Sequence, residues 1–214
     1  AALRENEGRF VTDFQNNSLS EDILDTKSHA GLKGYLEFDT RNDKTLPAEG
    51  VYWRSEASWY RGLNEKSDQF SKLNTDFRIY LSRRMNPRTV LALRFGGMMN
   101  NGAYDFIDAP NLGGKSNLRG YPANRFYGEE AVFQNTDLRI KLTDINTYYF
   151  SGQLGVFGFH DTGRVWYNEE QSAKWHRGYG GGLWMSPFGM AVITARYALS
   201  SEYEIFRVKF DFRF

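Results

Sequence analysis

Apolar and polar residues exchange places at every second position along most of this chain, and the longest unbroken case closes it. Phe206, Val208, Phe210, Phe212 and Phe214 share one phase, with Arg207, Lys209, Asp211 and Arg213 between them. A period of two places successive side chains on opposite faces of a strand. Earlier segments carry the same signal. Leu32, Leu36 and Phe38 oppose Lys33, Tyr35, Glu37 and Asp39, while Val51, Trp53, Ala57 and Trp59 oppose Arg54, Glu56 and Ser58. Leu73, Phe77, Ile79 and Leu81 oppose Lys72, Asn74, Asp76 and Arg78, and Leu91, Leu93 and Phe95 oppose Ala92 and Arg94. Leu138, Ile140 and Leu142 then oppose Asn135, Asp137, Arg139 and Lys141, and Tyr148, Phe150, Leu154 and Val156 oppose Ser151, Gln153 and Gly155. Two more segments, RGYGGGLWMS and MAVITARYAL, precede the terminal one. Helical periodicity is nowhere sustained, so the pattern predicts an all-β chain of about nine strands. GRFVTDF, with Phe10 and Phe14 on one side, is a weaker tenth.

Alternation alone does not say which face meets solvent. A soluble barrel or sandwich turns its apolar face inward. An outer-membrane barrel turns it outward to lipid and keeps ions in the lumen. Two features favour the second. Aromatic residues gather near strand ends (Tyr52, Trp53, Trp59, Tyr60, Tyr148, Tyr149, Trp184), as they do at membrane interfaces. Connections also alternate in length. MNPR, DINT and SPFG are tight and RNDKTLPAEG is moderately short, whereas Leu63–Asp68, Met99–Gly128 and Thr162–His176 are mostly longer and polar. Short turns at one end and long loops at the other predict an antiparallel up-and-down transmembrane β-barrel of about 8–10 strands in this chain. Its Phe faces would lie against outer-membrane lipid, and closure is expected because an open edge in lipid leaves backbone groups unpaired. Residues 1–214 read as one barrel domain, with 1–29 weakly defined and 99–128 a long loop.

Composition adjusts this picture in a few places. Mean hydropathy is −0.60, but that index averages over both strand faces and is blind to a lipid-facing exterior. The 16% aromatic content is the better guide. Formal net charge is +1 with the signs interleaved, which excludes the basic patch that nucleic-acid binding needs. There is no cysteine, and His29, His160 and His176 are scattered, so no metal site is expected. No apolar run is long enough for a helical membrane span or resembles a signal peptide. No pair of acids is fixed by spacing as general acid and base, and no GxSxG elbow occurs. The chain is read as a non-enzyme without cofactors. GYGGGLW reads as a strand packed closely inside the barrel rather than as a phosphate loop.

The connection MNNGAYDFIDAPNLGGKSNLRGYPANRFYG, residues 99–128, is long enough to expect a function. It carries Arg119, Gly120 and Tyr121, and is followed by TDLRIKL with Asp137 and then by GFHDTG with Phe159 and Asp161. Strand phase puts Asp137, Phe159 and Asp161 on the same inner face. An arginine reaching inward would meet carboxylates and an aromatic ring there, and Gly120 would let the backbone turn sharply beside it. With the Phe-ended last strand, these motifs resemble the BamA-type superfamily of outer-membrane insertases and translocases, the bacterial surface antigen barrel. The resemblance covers most of the chain from about Gly31 onward. It implies a long extracellular loop whose Arg-Gly-aromatic tip folds into the lumen. It also implies that Phe206, Val208, Phe210, Phe212 and Phe214 form an assembly signal.

Members of that superfamily usually carry periplasmic POTRA repeats before a sixteen-stranded barrel, and this chain matches only the last part of such a barrel. It is read as a part of a larger barrel completed by other strands or another chain, as a small barrel of its own, or as one of two associating copies. An eight-stranded interior is filled by side chains, so a small barrel leaves no room for the loop. The resemblance implies outer-membrane protein assembly, or polypeptide or lipid translocation, in a Gram-negative bacterium, with unfolded outer-membrane proteins as partners. The alternative is a small passive pore or a structural membrane anchor.

Overall fold

A computed structural model describes residues 27–65, 67–83, 88–115, 117–149, 151–166 and 174–210. The strands are β1 (His29–Asp39), β2 (Gly50–Gly62), β3 (Phe70–Arg83), β4 (Thr89–Gly102), β5 (Asn111–Leu112), β6 (Phe126–Tyr127), β7 (Glu130–Asn146), β8 (Ser151–Trp166), β9 (His176–Pro187), β10 (Ile193–Ser200) and β11 (Glu204–Lys209). Nine of them form one sheet in the order β1-β2-β3-β4-β7-β8-β9-β10-β11, while β5 and β6 make a small hairpin inside the long loop. Every pairing is antiparallel and joins strands that follow one another in this sheet, the up-and-down arrangement. Among the described residues no helix is long and apolar enough to cross a membrane, which says nothing of crossing by strands.

Register converts the alternation into two chemically distinct faces, because directly paired residues project to the same side. On the outer face Phe38, Trp53, Phe77 and Phe95 are paired in one line across β1–β4, and all four are exposed. Leu81, Leu91 and Leu138 make a second line, and Tyr197 pairs with Phe206 near the last edge. On the inner face Lys33 meets Glu56 at 2.6 Å, Arg54 meets Glu56 at 3.0 Å, and Asp76 receives Arg78 at 2.6 Å and Arg94 at 2.8 Å. Ions of both signs facing one another across a sheet suit a wet, polar interior.

Where the inner face thickens, glycine makes the room. A Cβ on Gly96 would collide with the Phe133 ring, and one on Gly155 with the Trp184 indole. Each aromatic lies over a glycine of a neighbouring strand and shields its backbone. Trp184 also donates from Nε1 to the Val156 carbonyl at 3.2 Å. Phe157, Phe159, Trp184, Val192 and Ala198 form one buried inner cluster, with Leu46 packed on it.

Four sequence expectations are corrected. The expected closure does not occur among the described residues: β1 and β11 are both edges, and β1 is exposed along nearly its whole length. Nine alternating strands leave the first and last running in the same direction, so they cannot close on each other by the antiparallel ladder used elsewhere. Tyr148 and Tyr149 lie in the β7–β8 turn rather than in a strand, strongly exposed. Leu142 falls at a bulge between Lys141 and Thr143, where the register shifts. β8 runs to Trp166, so the following loop begins later than the polar run at Thr162 suggested. The weak strand at residues 8–14, together with Phe212 and Phe214, lies outside the described residues.

Candidate functional site

The β4–β7 connection turns back over the inner face instead of standing away from the sheet. Its local chemistry prefolds it. Asn117 accepts from the Gly113 amide at 2.8 Å through Oδ1 and donates to the Asn111 carbonyl at 2.8 Å through Nδ2. Gly113, Gly114 and Gly120 sit at φ of 130°, 75° and 95°, a backbone region where a side chain is strained. Leu112, Leu118, Tyr121 and Phe126 from the loop pack on Ala131 and Phe133 of β7, a buried apolar cluster that holds the loop against the wall. Asn135 of β7 donates to the Asn117 carbonyl at 2.7 Å.

Arg119 stands at the tip, with 1% of its side chain exposed. Its Nε donates to Asp161 Oδ2 at 2.9 Å and its Nη2 to Asp161 Oδ1 at 2.7 Å, a two-pronged fork. Its backbone amide adds a third bond to Asp161 at 2.7 Å. Nη1 reaches Asp137 Oδ2 at 3.2 Å, and Nη2 also bonds Asp137 Oδ1. Both carboxylates are fully buried. The guanidinium carbon lies 3.9 Å from the centre of the Phe159 ring, close enough for cation–π attraction in a desolvated setting. Asp137 and Phe159 are directly paired on β7 and β8, and Asp161 pairs with Asn135 one step along, so the strands present both acids and the ring as one surface.

Burial disfavours the Arg119 cation, but Asp137 and Asp161 outweigh it, and its pKa stands above the usual arginine value. One cation between two anions leaves the cluster one negative charge in excess. Arg139 interacts electrostatically with Asp137, and Arg196 with both acids. Either of them offsets that excess from the same inner face.

Sequence reasoning brought Arg119, Asp137, Phe159 and Asp161 to one face and named Gly120 and Tyr121 beside them. Gly120 lies against the Leu199 carbonyl of β10, and Tyr121 shares a 3.2 Å hydrogen bond with Ser201 in the β10–β11 turn. Residues it did not assign to this site complete the seat. A Cβ on Gly178 of β9 would collide with the Arg119 carbonyl oxygen, so the glycine run in GYGGGLW is where the tip touches down. Arg125 donates to Glu202 at 3.1 Å and Phe126 stacks on His176 at 3.6 Å between ring centres. Lys72 pairs with Asp108, and Asn100 donates to the Asp108 carbonyl at 2.7 Å. The loop therefore braces the sheet from β3 to the β10–β11 turn. Phe206, Val208 and Phe210 face outward and are exposed, away from this cluster.

An antiparallel sheet with an aromatic outer face, an ionic inner face and a long loop bolted into that inner face defines a protein of the outer-membrane β-barrel class. The sequence from residue 4 to residue 214 matches the Omp85 superfamily domain. The chain belongs to that superfamily, which is one of outer-membrane insertases and translocases. No curated protein matches the chain in sequence.

Proposed function

We propose that this chain acts in the outer membrane of a Gram-negative bacterium by helping other polypeptides into or across it, without an enzymatic step. The observation that carries this reading is the pairing of a firmly seated loop with two strands, β1 and β11, that are the edges of the sheet among the described residues. Arg119 and its carboxylates hold the loop over the inner face, which disfavours a standing aqueous channel there. Among the described residues β1 and β11 each have a strand neighbour on one side only, and such an edge templates an incoming strand. In this reading unfolded outer-membrane proteins are the partners, lipid surrounds the aromatic face, and the Phe-rich C-terminal segment from Phe206 to Phe214 serves as the chain's own assembly signal. The described residues already supply nine strands to the sheet, more than the eight whose closed interior is filled by side chains.

Reconstitution tests it. The protein in lipid vesicles should speed the folding of a urea-unfolded second barrel protein relative to empty vesicles. Proline placed at the central β1 position Tyr35, whose amide points away from β2, should remove that gain by deleting an edge donor while leaving the β1–β2 ladder intact. Steady single-channel currents without any folding assistance would instead identify a passive pore and end this reading.

A further inference from the structure

The β1–β2 connection is longer than its task. A hairpin register is set by a two-residue turn, yet residues 40–49 separate these strands. They do not trail into solvent as a polar turn would. Asn42 Oδ1 accepts the amides of Ala48 and Glu49, both at 3.0 Å, and Asp43 Oδ1 accepts those of Thr45 and Leu46 at 2.6 and 3.0 Å. These bonds prefold the segment into a compact knob. Arg41 forks onto Asp39 at 2.9 and 2.8 Å and lies over the Tyr52 ring at 4.5 Å, fixing its root.

The knob then crosses the inner face. Pro47 and Ala48 are buried. Arg139 of β7 donates to the Pro47 carbonyl at 2.5 Å, although β7 is three strands away from β2 in the sheet. Leu46 packs on the cluster built from β8, β9, β10 and Val192 of the β9–β10 turn. Above and beside it lies a cavity of about 370 Å³ lined by Asp43, Arg88, Arg139, Lys141, Asp144 and Trp184 among others. This knob sits at the short-turn end of the sheet, opposite the mouth entered by the Arg119 loop.

We propose that residues 40–49 form a second plug, which closes the short-turn mouth of the lumen and latches the β1 hairpin to the β7–β10 wall. The inner face is then stoppered from both ends by independent devices. The edge strand β1 is also restrained at one end, so separating it from the far wall there requires Leu46 and Pro47 to leave their seats. The latch stands on its own contacts and does not depend on the insertase reading.

Two measurements test it, and the absence of cysteine from the chain makes the first clean. Ala48→Cys should react slowly with a membrane-impermeant maleimide in the refolded protein, and several-fold faster once Leu46→Asp is added. Fast labelling of Ala48→Cys alone would overturn the plug. The second measures planar-bilayer conductance with the opposite mouth released by Arg119→Ala. Replacing residues 41–50 with Asn-Gly closes the hairpin at the Thr40–Val51 pair while deleting the knob. That replacement should raise conductance several-fold over Arg119→Ala alone, in protein whose unheated gel mobility reports a folded barrel. Equal conductance with and without the knob would sink the proposal. Because neither assay includes a client polypeptide, failure here is distinguishable from failure of folding assistance.

Discussion

Removing Arg119 should damage this protein more than removing either of its partners. Its side chain makes four charge-assisted contacts, two to Asp161 and two to Asp137. Arg119→Ala leaves two fully buried carboxylates side by side without the cation between them. Breaking a buried ion pair by deleting one member costs about 3–5 kcal/mol, and the low exposure of all three groups places the site in that regime. An exposed pair would cost about 0–1 kcal/mol. Asp161→Ala removes only two of those four side-chain contacts and leaves a neutral Arg119–Asp137 pair, so its cost should be smaller. In the Asp161→Ala background Arg119→Ala strands only one carboxylate. The double variant should therefore fall short of the sum of the singles by about 0.5–3 kcal/mol, the range for groups in direct contact. Urea unfolding in detergent micelles, followed through the five tryptophans, gives the three free energies. Additivity within about 0.5 kcal/mol would refute the shared anchor. So would an Asp161→Ala cost above that of Arg119→Ala.

The other predictions concern the two faces and the seat of the tip. Phe77→Arg, on the outer face of a central strand, should cost about 2–4 kcal/mol in lipid refolding if it lies near the midplane, whereas Asn74→Arg on the inner face should cost far less. Equal tolerance of the two would reverse the assigned faces. Gly178→Val should push the Arg119 backbone off β9 and expose the loop, read as faster tryptic cleavage at Lys115 while the folded gel mobility persists; unchanged cleavage would mean the tip is held elsewhere.

The positions of Leu32, Trp53, Phe77 and Leu138 on one face, and of Lys33, Asp76 and Asp137 on the other, were legible before any coordinates. Side-chain direction in a strand depends only on residue parity, so the alternation records the face directly. The same parity put Asp137, Phe159 and Asp161 together on the inner side. It could not reach Leu142 or Tyr148, because a bulge and a turn each interrupt the count locally.

Other features depend on which residues lie opposite one another, and no single strand encodes that. Gly178 matters because register sets it beside Asp161, beneath the Arg119 carbonyl. Asn117 and Asn135 join across eighteen residues of chain, and Arg139 reaches Pro47 across ninety-two. RNDKTLPAEG looked like an ordinary polar turn because its buried contacts come from Leu46, Pro47 and Ala48, too few to form a periodic signal. Closure was expected from the lipid-facing pattern, yet the described sheet has two edges. Whether a sheet closes is decided by strand number and direction, which belong to the assembled sheet and not to the pattern of any strand. The chain's own alternation thus determined which residues share the apolar side and which share the ionic side. Only the tertiary structure decided what fills the ionic side, because the loop tip and the β1–β2 knob are placed by contacts distant in sequence, where periodicity carries no information.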